Sequence, residues 1–252
     1  MEEKPNITIL TPVYGRHKFL TLWLYNIKNQ TYDHDKLTVI IDECKSDEPF
    51  INNVDNIRHL LHPIKIIHNV YNNRSTIGFK RNRLVKNCTT THFQFFDSDD
   101  YYLPTCIDYN LQCMIDNKVG CVGSDQMAFC FLNEDYKMTG ICCGNKLSHI
   151  HEATLFATKR WFKTSNKFLK TKTGEGARLF EGQTTKNVFI SDVMRVMLCL
   201  CHEGNTINKD RFKDPANGKV AKLKPELQHF LYTLGLSKCI PDNIVPNEIH
   251  NT

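Results

Sequence analysis

Four short apolar runs in the first hundred residues, interleaved with helical patterns, leave this chain few architectures to adopt. Residues 7–13, 37–41, 64–67 and 93–96 are rich in β-branched and aromatic side chains and lack the polar alternation of a half-exposed strand. Strands of that kind need cover on both faces, which helices supply in a mostly parallel sheet. The helical patterns are present. Phe19, Leu22, Trp23 and Ile27 follow the first run, and Ile77, Arg81, Leu84, Val85 and Cys88 precede the fourth, with the helix opening near Gly78. The predicted fold class is therefore α/β, with a mostly parallel central sheet flanked by helices.

Downstream, Ile107, Leu111, Met114 and Ile115 mark another helix, and strand-like pieces fall at 119–122, 128–132 and 154–158. Residues 163–176 are polar and Lys/Thr-rich, which predicts a mobile loop; 188–201 are apolar and predicted buried; 205–219 read as a polar connector. Leu223, Leu227, Phe230, Leu231 and Leu234 form one face of a last helix, with Pro225 near its start and Gly235 at its end. A chain of 252 residues suits one large α/β domain, 1–205, followed by a small C-terminal helical extension, 206–252. Packing of that last helix on the domain and a homodimer built through it are both open.

The net charge of +5 falls short of a dedicated nucleic-acid binder and suits an anionic small substrate, or reflects a surplus of surface lysines. No apolar run approaches the roughly 20 residues that span a bilayer, and the charged N-terminus lacks the apolar core of a signal peptide. The expectation is a soluble, cytoplasmic protein. Its 11 cysteines, an odd number, then read as free thiols. Neither Cys142-Cys143 nor Cys199-x-Cys201 has the spacing of a structural zinc site. The N-x-S/T triplets at Asn6, Asn29, Asn73 and Asn87 are chance matches in that setting.

The sharpest chemical feature follows the fourth apolar run: Asp97, Ser98, Asp99 and Asp100. In an open α/β sheet, ligands bind beyond the carboxyl ends of the strands. Crowded carboxylates repel one another, and a divalent cation relieves the repulsion. Mn2+ and Mg2+ favour oxygen ligands and bridge carboxylates to substrate phosphates. A solvated acidic loop is the competing reading of the same residues.

The surroundings resemble the GT-A glycosyltransferases of the large family 2 type. Residues 6–16 (NITILTPVYGR) are similar to the opening strand of that family, 30–32 (QTY) to the close of its first helix, and 39–43 (VIIDE) to the end of its second strand. Residues 77–82 (IGFKRN) are similar to a helix start of the family, and 96–100 (FDSDD) to its metal motif, all in the family's order over 6–103. Farther on, 153–156 (ATLF) with Arg160-Trp161 resembles an acceptor-side strand, and 201–206 (CHEGNT) a closing motif that carries a histidine.

The resemblance implies a GT-A fold with a nucleotide-binding half over 1–103 and an acceptor half over 104–205. It implies a nucleotide-diphosphate sugar donor, UDP-linked by preference, an acceptor hydroxyl of unknown identity, Mn2+ or Mg2+, and an inverting transfer. Thr11, Pro12, Tyr14, Arg16, Asp42, Arg81, Asp97 and Ser98 fall at donor-binding positions, with Tyr14 stacking on the base and Asp42 bonding base or ribose. Asp99, with Asp97 and His202, falls at the metal. The family carries G-E-D on the acceptor side, its carboxylate taking the acceptor proton. Here the residues are Gly174, Glu175 and Gly176, so the expected aspartate is a glycine. Glu175 is the first candidate base and Glu181 the second. Ordinary roles compete for several of these positions: packing for Tyr14, a surface charge for Arg81, a loop hydrogen bond for His202 and a helix-start carboxylate for Glu175.

Two other classes stay open from sequence. A nucleotidyltransferase also uses acids and a metal on an α/β sheet, but needs a glycine-rich loop, whereas residues 11–18 hold a single glycine, Gly15. A catalytically degenerate protein that only binds nucleotide sugar or glycan is favoured by Gly176.

Overall fold

The computed structural model describes residues 3–214 and 222–241. In chain order the elements are β1 (Ile7–Val13), α1 (Leu20–Lys28), β2 (Leu37–Cys44), α2 (Val54–Leu61), β3 (Lys65–Tyr71), α3 (Ile77–Asn87), β4 (His92–Phe95), β5 (Tyr101–Tyr102), α4 (Cys106–Asn117), β6 (Cys121–Gly123), β7 (Gln126–Phe131), β8 (Lys137–Cys142), β9 (Phe156–Thr158), α5 (Lys159–Thr164), β10 (Val188–Ile190), β11 (Met197–Cys201) and α6 (Pro225–Thr233). Short 3-10 turns connect several of them.

A seven-stranded sheet runs β10-β6-β9-β4-β1-β2-β3. The pairs β1–β2, β2–β3, β1–β4 and β6–β10 are parallel, and β9 runs antiparallel to both its neighbours. Every residue of β1 and β2 is buried. Their side chains alternate between two cores: Ile7, Ile9, Val39 and Ile41 pack with α1, α2 and α4, while Leu10 and Ile40 pack with α3 and α5. The missing polar alternation thus has the expected cause. Each of these buried aliphatic side chains contributes roughly 1.5–3 kcal/mol of transfer free energy.

The chain winds from β1 to β2 to β3 in one direction, then returns to place β4 on the other side of β1. This reversal opens a crevice beyond the carboxyl ends of β1 and β4, where α/β sheets bind ligands. A second sheet, β5-β11-β7-β8, extends the fold beside it. Its strands β5 and β8, and the helix α2, are absent from the sequence reading.

The third apolar run proves to be an edge strand shifted toward its C-terminus. β3 has only one neighbour, and Ile67 and Val70 are exposed. The loop predicted mobile over 163–176 is anchored at both ends. Asn82 of α3 donates to the Phe168 carbonyl at 2.8 Å and accepts the Phe168 N–H at 3.1 Å, and the Leu169 N–H donates to the Glu175 carbonyl at 2.7 Å. Gly78 permits this docking, because a Cβ there would lie 1.8 Å from the Leu169 carbonyl oxygen. Residues 170–174 remain exposed.

The C-terminal helix α6 lies where the sequence placed it. Its Phe230 ring sits 4.2 Å from Tyr25 of α1, so the extension packs on the domain. The polar connector falls partly outside the described residues. None of the 11 cysteines forms a disulfide. No helix among the described residues is long and apolar enough to cross a membrane.

Candidate active site

The acidic turn is built by its neighbours. Asn26 of α1 donates to the Asp100 carbonyl at 2.8 Å and accepts the Tyr102 N–H at 3.1 Å. The Tyr102 ring stacks on Phe96 at 3.9 Å, and its hydroxyl accepts the Asp97 N–H at 2.8 Å. The turn is therefore fixed before any ligand arrives.

Its three carboxylates have three different partners. Asp97 accepts from Arg81 Nη2 at 2.9 Å through Oδ2, while its Oδ1 is buried with no hydrogen-bond partner among the described residues. Asp99 accepts from Arg16 Nε at 2.8 Å and lies 3.3 Å from His202 Nε2. Burial disfavours the Asp99 anion, but the hydrogen bond to His202 and the charge of Arg16 outweigh it and pull its carboxyl down to about 2. Asp100 turns inward and accepts the Leu200 N–H at 3.0 Å. Burial, with Cys199 and the other two aspartates adding to it, pushes the Asp100 carboxyl well above the usual range. Asp100 is thus a fastening to β11.

A cavity of about 800 Å³ opens over this turn, within the usual range for small-molecule sites of roughly 300–1,000 Å³. Pro12, Tyr14, Arg16, Arg81, Asp97, Ser98, Asp99 and Glu175 all reach its wall. The Tyr14 ring carries the Arg74 guanidinium 4.0 Å from its centroid. Arg81 is buried, lies 4.8 Å over the Phe95 ring and bridges two acids, since its Nε also donates to Glu175 Oε1 at 3.2 Å. Burial raises the Glu175 carboxyl, with Arg81 opposing and Glu152 reinforcing the shift.

Other predicted residues sit elsewhere. Thr11 is fully buried behind the wall, where its hydroxyl accepts from Trp23 Nε1 at 3.0 Å. Asp42 does not line the cavity. It is 1% exposed and gripped by the Arg83 fork at 2.6 and 2.7 Å, and Arg83 in turn lies 3.3 Å from the Tyr71 ring. Glu181 is on the surface, 3.8 Å from Arg178, and does not reach the cavity. Asp97, Asp99 and His202 do not form a three-ligand cage, and one oxygen of the Asp97 carboxylate is held by Arg81. No group of three or more His, Cys, Asp or Glu side chains among the described residues could hold a metal ion unaided. The donor set present, an Asp99–His202 pair beside the orphaned Asp97 Oδ1, instead fits a hard cation that brings its own phosphate oxygens and waters.

Sequence reasoning missed five wall residues of consequence: Arg74, His151, Glu152, Lys172 and Lys209. Burial pulls the His151 imidazole down to about 4, and its Nδ1 accepts the Ala153 N–H at 3.3 Å, which leaves the ring neutral with its proton on Nε2. Glu152 Oε1 accepts the Gly176 N–H at 2.8 Å. The two lysines carry no motif. Glu152 had one signal in the sequence, the missing side chain at Gly176.

The sheet order and the crevice it opens are those of a GT-A type α/β domain. The family model for glycosyl transferase family 2 matches residues 8–176, well over half the chain, and the chain belongs to that family. No curated protein matches the sequence. Among solved structures, TarS of S. aureus is similar at 14% identity with a TM-score of 0.59, covering 78% of this chain and 37% of that one. TarS 1–349 in complex with UDP-GlcNAc is similar at 13% identity with a TM-score of 0.63, covering 91% of this chain and 65% of that one. The mannosyltransferase PcManGT from Pyrobaculum calidifontis, in complex with GDP-Man and Mn2+, is similar at 14% identity with a TM-score of 0.59, covering 83% of this chain and 59% of that one. At these identities the likeness establishes the fold. The chain spans less than two thirds of the length of each of these proteins.

Proposed function

We propose that this protein transfers a sugar from a nucleotide-diphosphate donor, UDP-linked by preference, to an acceptor hydroxyl with inversion at the anomeric carbon. The observation that carries the reading is the pairing of Asp99 with Arg16 across the crevice between β1 and β4, in one cavity with the Arg81–Glu175 bridge. Tyr14 and Pro12 offer the base a flat apolar shelf. Arg74, Lys172 and Lys209 set cations around the diphosphate. Asp42 and Thr11 act from behind the wall, Asp42 by fixing Arg83 and Thr11 by bonding Trp23.

Asp99 and His202, with the free Oδ1 of Asp97, are the residues that would hold Mn2+ or Mg2+; when bound, the ion supplies positive charge against that building on the leaving diphosphate. Arg16 is released from Asp99 to the phosphates as the donor enters. On the opposite side of the sugar, a carboxylate of the Glu152–Glu175 pair takes the acceptor proton. The exposed residues 170–174 close over the donor and exclude water.

Gly176 favours the rival reading of a binding protein without turnover. The two readings separate on incubation of the protein with a panel of UDP- and GDP-sugars and Mn2+. Slow release of nucleotide diphosphate supports the transferase, and binding of the sugars without any release supports the binding protein.

A further inference from the structure

Gly176 is a close approach as well as a missing aspartate. A Cβ added there would lie 2.1 Å from Glu152 Oε1 and 2.8 Å from both Glu152 Cδ and Cγ. The carboxyl end of Glu152 thus occupies the space in which a side chain at 176 would begin. It is held there by the Gly176 N–H at 2.8 Å. The fold delivers it deliberately: His151 caps the one-turn 3-10 segment 152–154, which leads into β9 at the core of the sheet.

The two cavity glutamates differ in their partners. Glu175 is buried and its Oε1 accepts from Arg81, so taking up a proton weakens an ion pair. Glu152 is half-buried, and among the described residues no Lys, Arg or His nitrogen lies within 4.0 Å of its carboxylate. Its Oε2 accepts no hydrogen bond from them, and it faces the cavity that holds Asp97 and Asp99. A carboxylate oxygen that has no hydrogen-bond partner, on a side chain lining the cavity, is placed as a proton acceptor must be.

Resting on the transferase reading above, we propose that Glu152 is the catalytic base of this protein, occupying the place vacated by the side chain at Gly176, and that Glu175 is a positioning residue that fixes Arg81. In the transfer step the acceptor O–H proton passes to Glu152. The acceptor oxygen bonds to the anomeric carbon as the bond from that carbon to the diphosphate breaks, and the electron pair leaves on the nucleoside diphosphate. With water as acceptor the products are the free sugar and the diphosphate, and Glu152 returns its proton to solvent.

The test measures Mn2+-dependent hydrolysis of a panel of UDP- and GDP-sugars, alongside UDP and GDP affinity, for the wild type, E152Q, E152A and the double variant E152A/G176D. E152Q is expected to lower turnover by about 10²–10⁴-fold with nucleotide affinity unchanged. Removing the Glu152 side chain clears the space for a Cβ at 176, so E152A/G176D is expected to turn over faster than E152A. A wild type that is active, with E152Q close to it in rate, overturns the assignment of Glu152 and leaves the transferase reading standing. A wild type that binds nucleotide but hydrolyses none of the panel overturns the transferase reading and this proposal with it. Loss of activity in E152Q with no recovery in E152A/G176D, and with nucleotide affinity lost as well, also overturns the assignment, because it marks Glu152 as part of the scaffold.

Discussion

Arg16, three residues past the end of β1, donates its Nε–H to the Asp99 carboxylate at 2.8 Å, closing the crevice between the first and fourth strands of the chain. On the transferase reading proposed above, a donor diphosphate divides this pair, taking Arg16 to its phosphates and leaving Asp99 for a cation. The two residues therefore answer differently to removal. D99A is expected to lose the Mn2+ dependence of UDP binding, while R16A keeps that dependence and binds UDP more weakly. Calorimetric titration with and without Mn2+ separates the two outcomes.

Arg81 is a buried cation shared between Asp97 and Glu175. Removing it strands two carboxylates in a poorly hydrated wall. R81A is expected to cost about 3–5 kcal/mol of stability, the usual penalty for leaving a buried charge without its partner. Urea denaturation reads this directly, and a cost near zero would show that water replaces the guanidinium freely.

Gly78→Ala brings a methyl group to within 1.8 Å of the Leu169 carbonyl oxygen. The helix itself tolerates alanine, so any loss comes from the loop. Displacing the 168–175 docking is expected to cost about 1–3 kcal/mol, as overpacking does, and to lower turnover through Glu175. A variant with wild-type stability and turnover would show the loop to be dispensable.

Burial pulls the His151 imidazole down to about 4, below its usual value of about 6.5. Between these values the unfolded chain binds the proton and the folded one does not, so stability contributed by the neutral ring falls as pH drops from about 6.5 toward 4. H151Q, which cannot protonate, is expected to lose less stability than wild type over that window. Thermal melts at pH 7, 5.5 and 4.5 test it, and parallel curves for both proteins would contradict it.

What the sequence made legible was whatever depends on neighbours along the chain. The buried runs of β1, β2 and β4, the helices that follow them and the acids after Phe96 all have their causes within a few residues. Asp42 shows where this ends. Its place at the end of β2 is readable, but the Arg83 fork that claims it comes from α3, 41 residues on. Glu181 reads from sequence as the second candidate base, but the turns after Glu175 carry it to the surface beside Arg178. The partnership of Glu152 with Gly176 spans 24 residues and rests on an absent side chain, which sequence displays only as a departure from pattern. β5 and β8 were missed because β5 is two residues long and β8 is only half-buried, leaving little apolar pattern to read.

The claim on which the rest depends is that the turn at Asp97–Asp99 grips a cation carried by a nucleotide diphosphate. Crystals grown with UDP and Mn2+, measured at a wavelength where manganese scatters anomalously, test it most directly. The account predicts an anomalous peak within coordination distance of Asp99 and bridging to the diphosphate, with Arg16 swung away from the carboxylate. UDP bound in the cavity with no such peak, and with Arg16 still on Asp99, would contradict it.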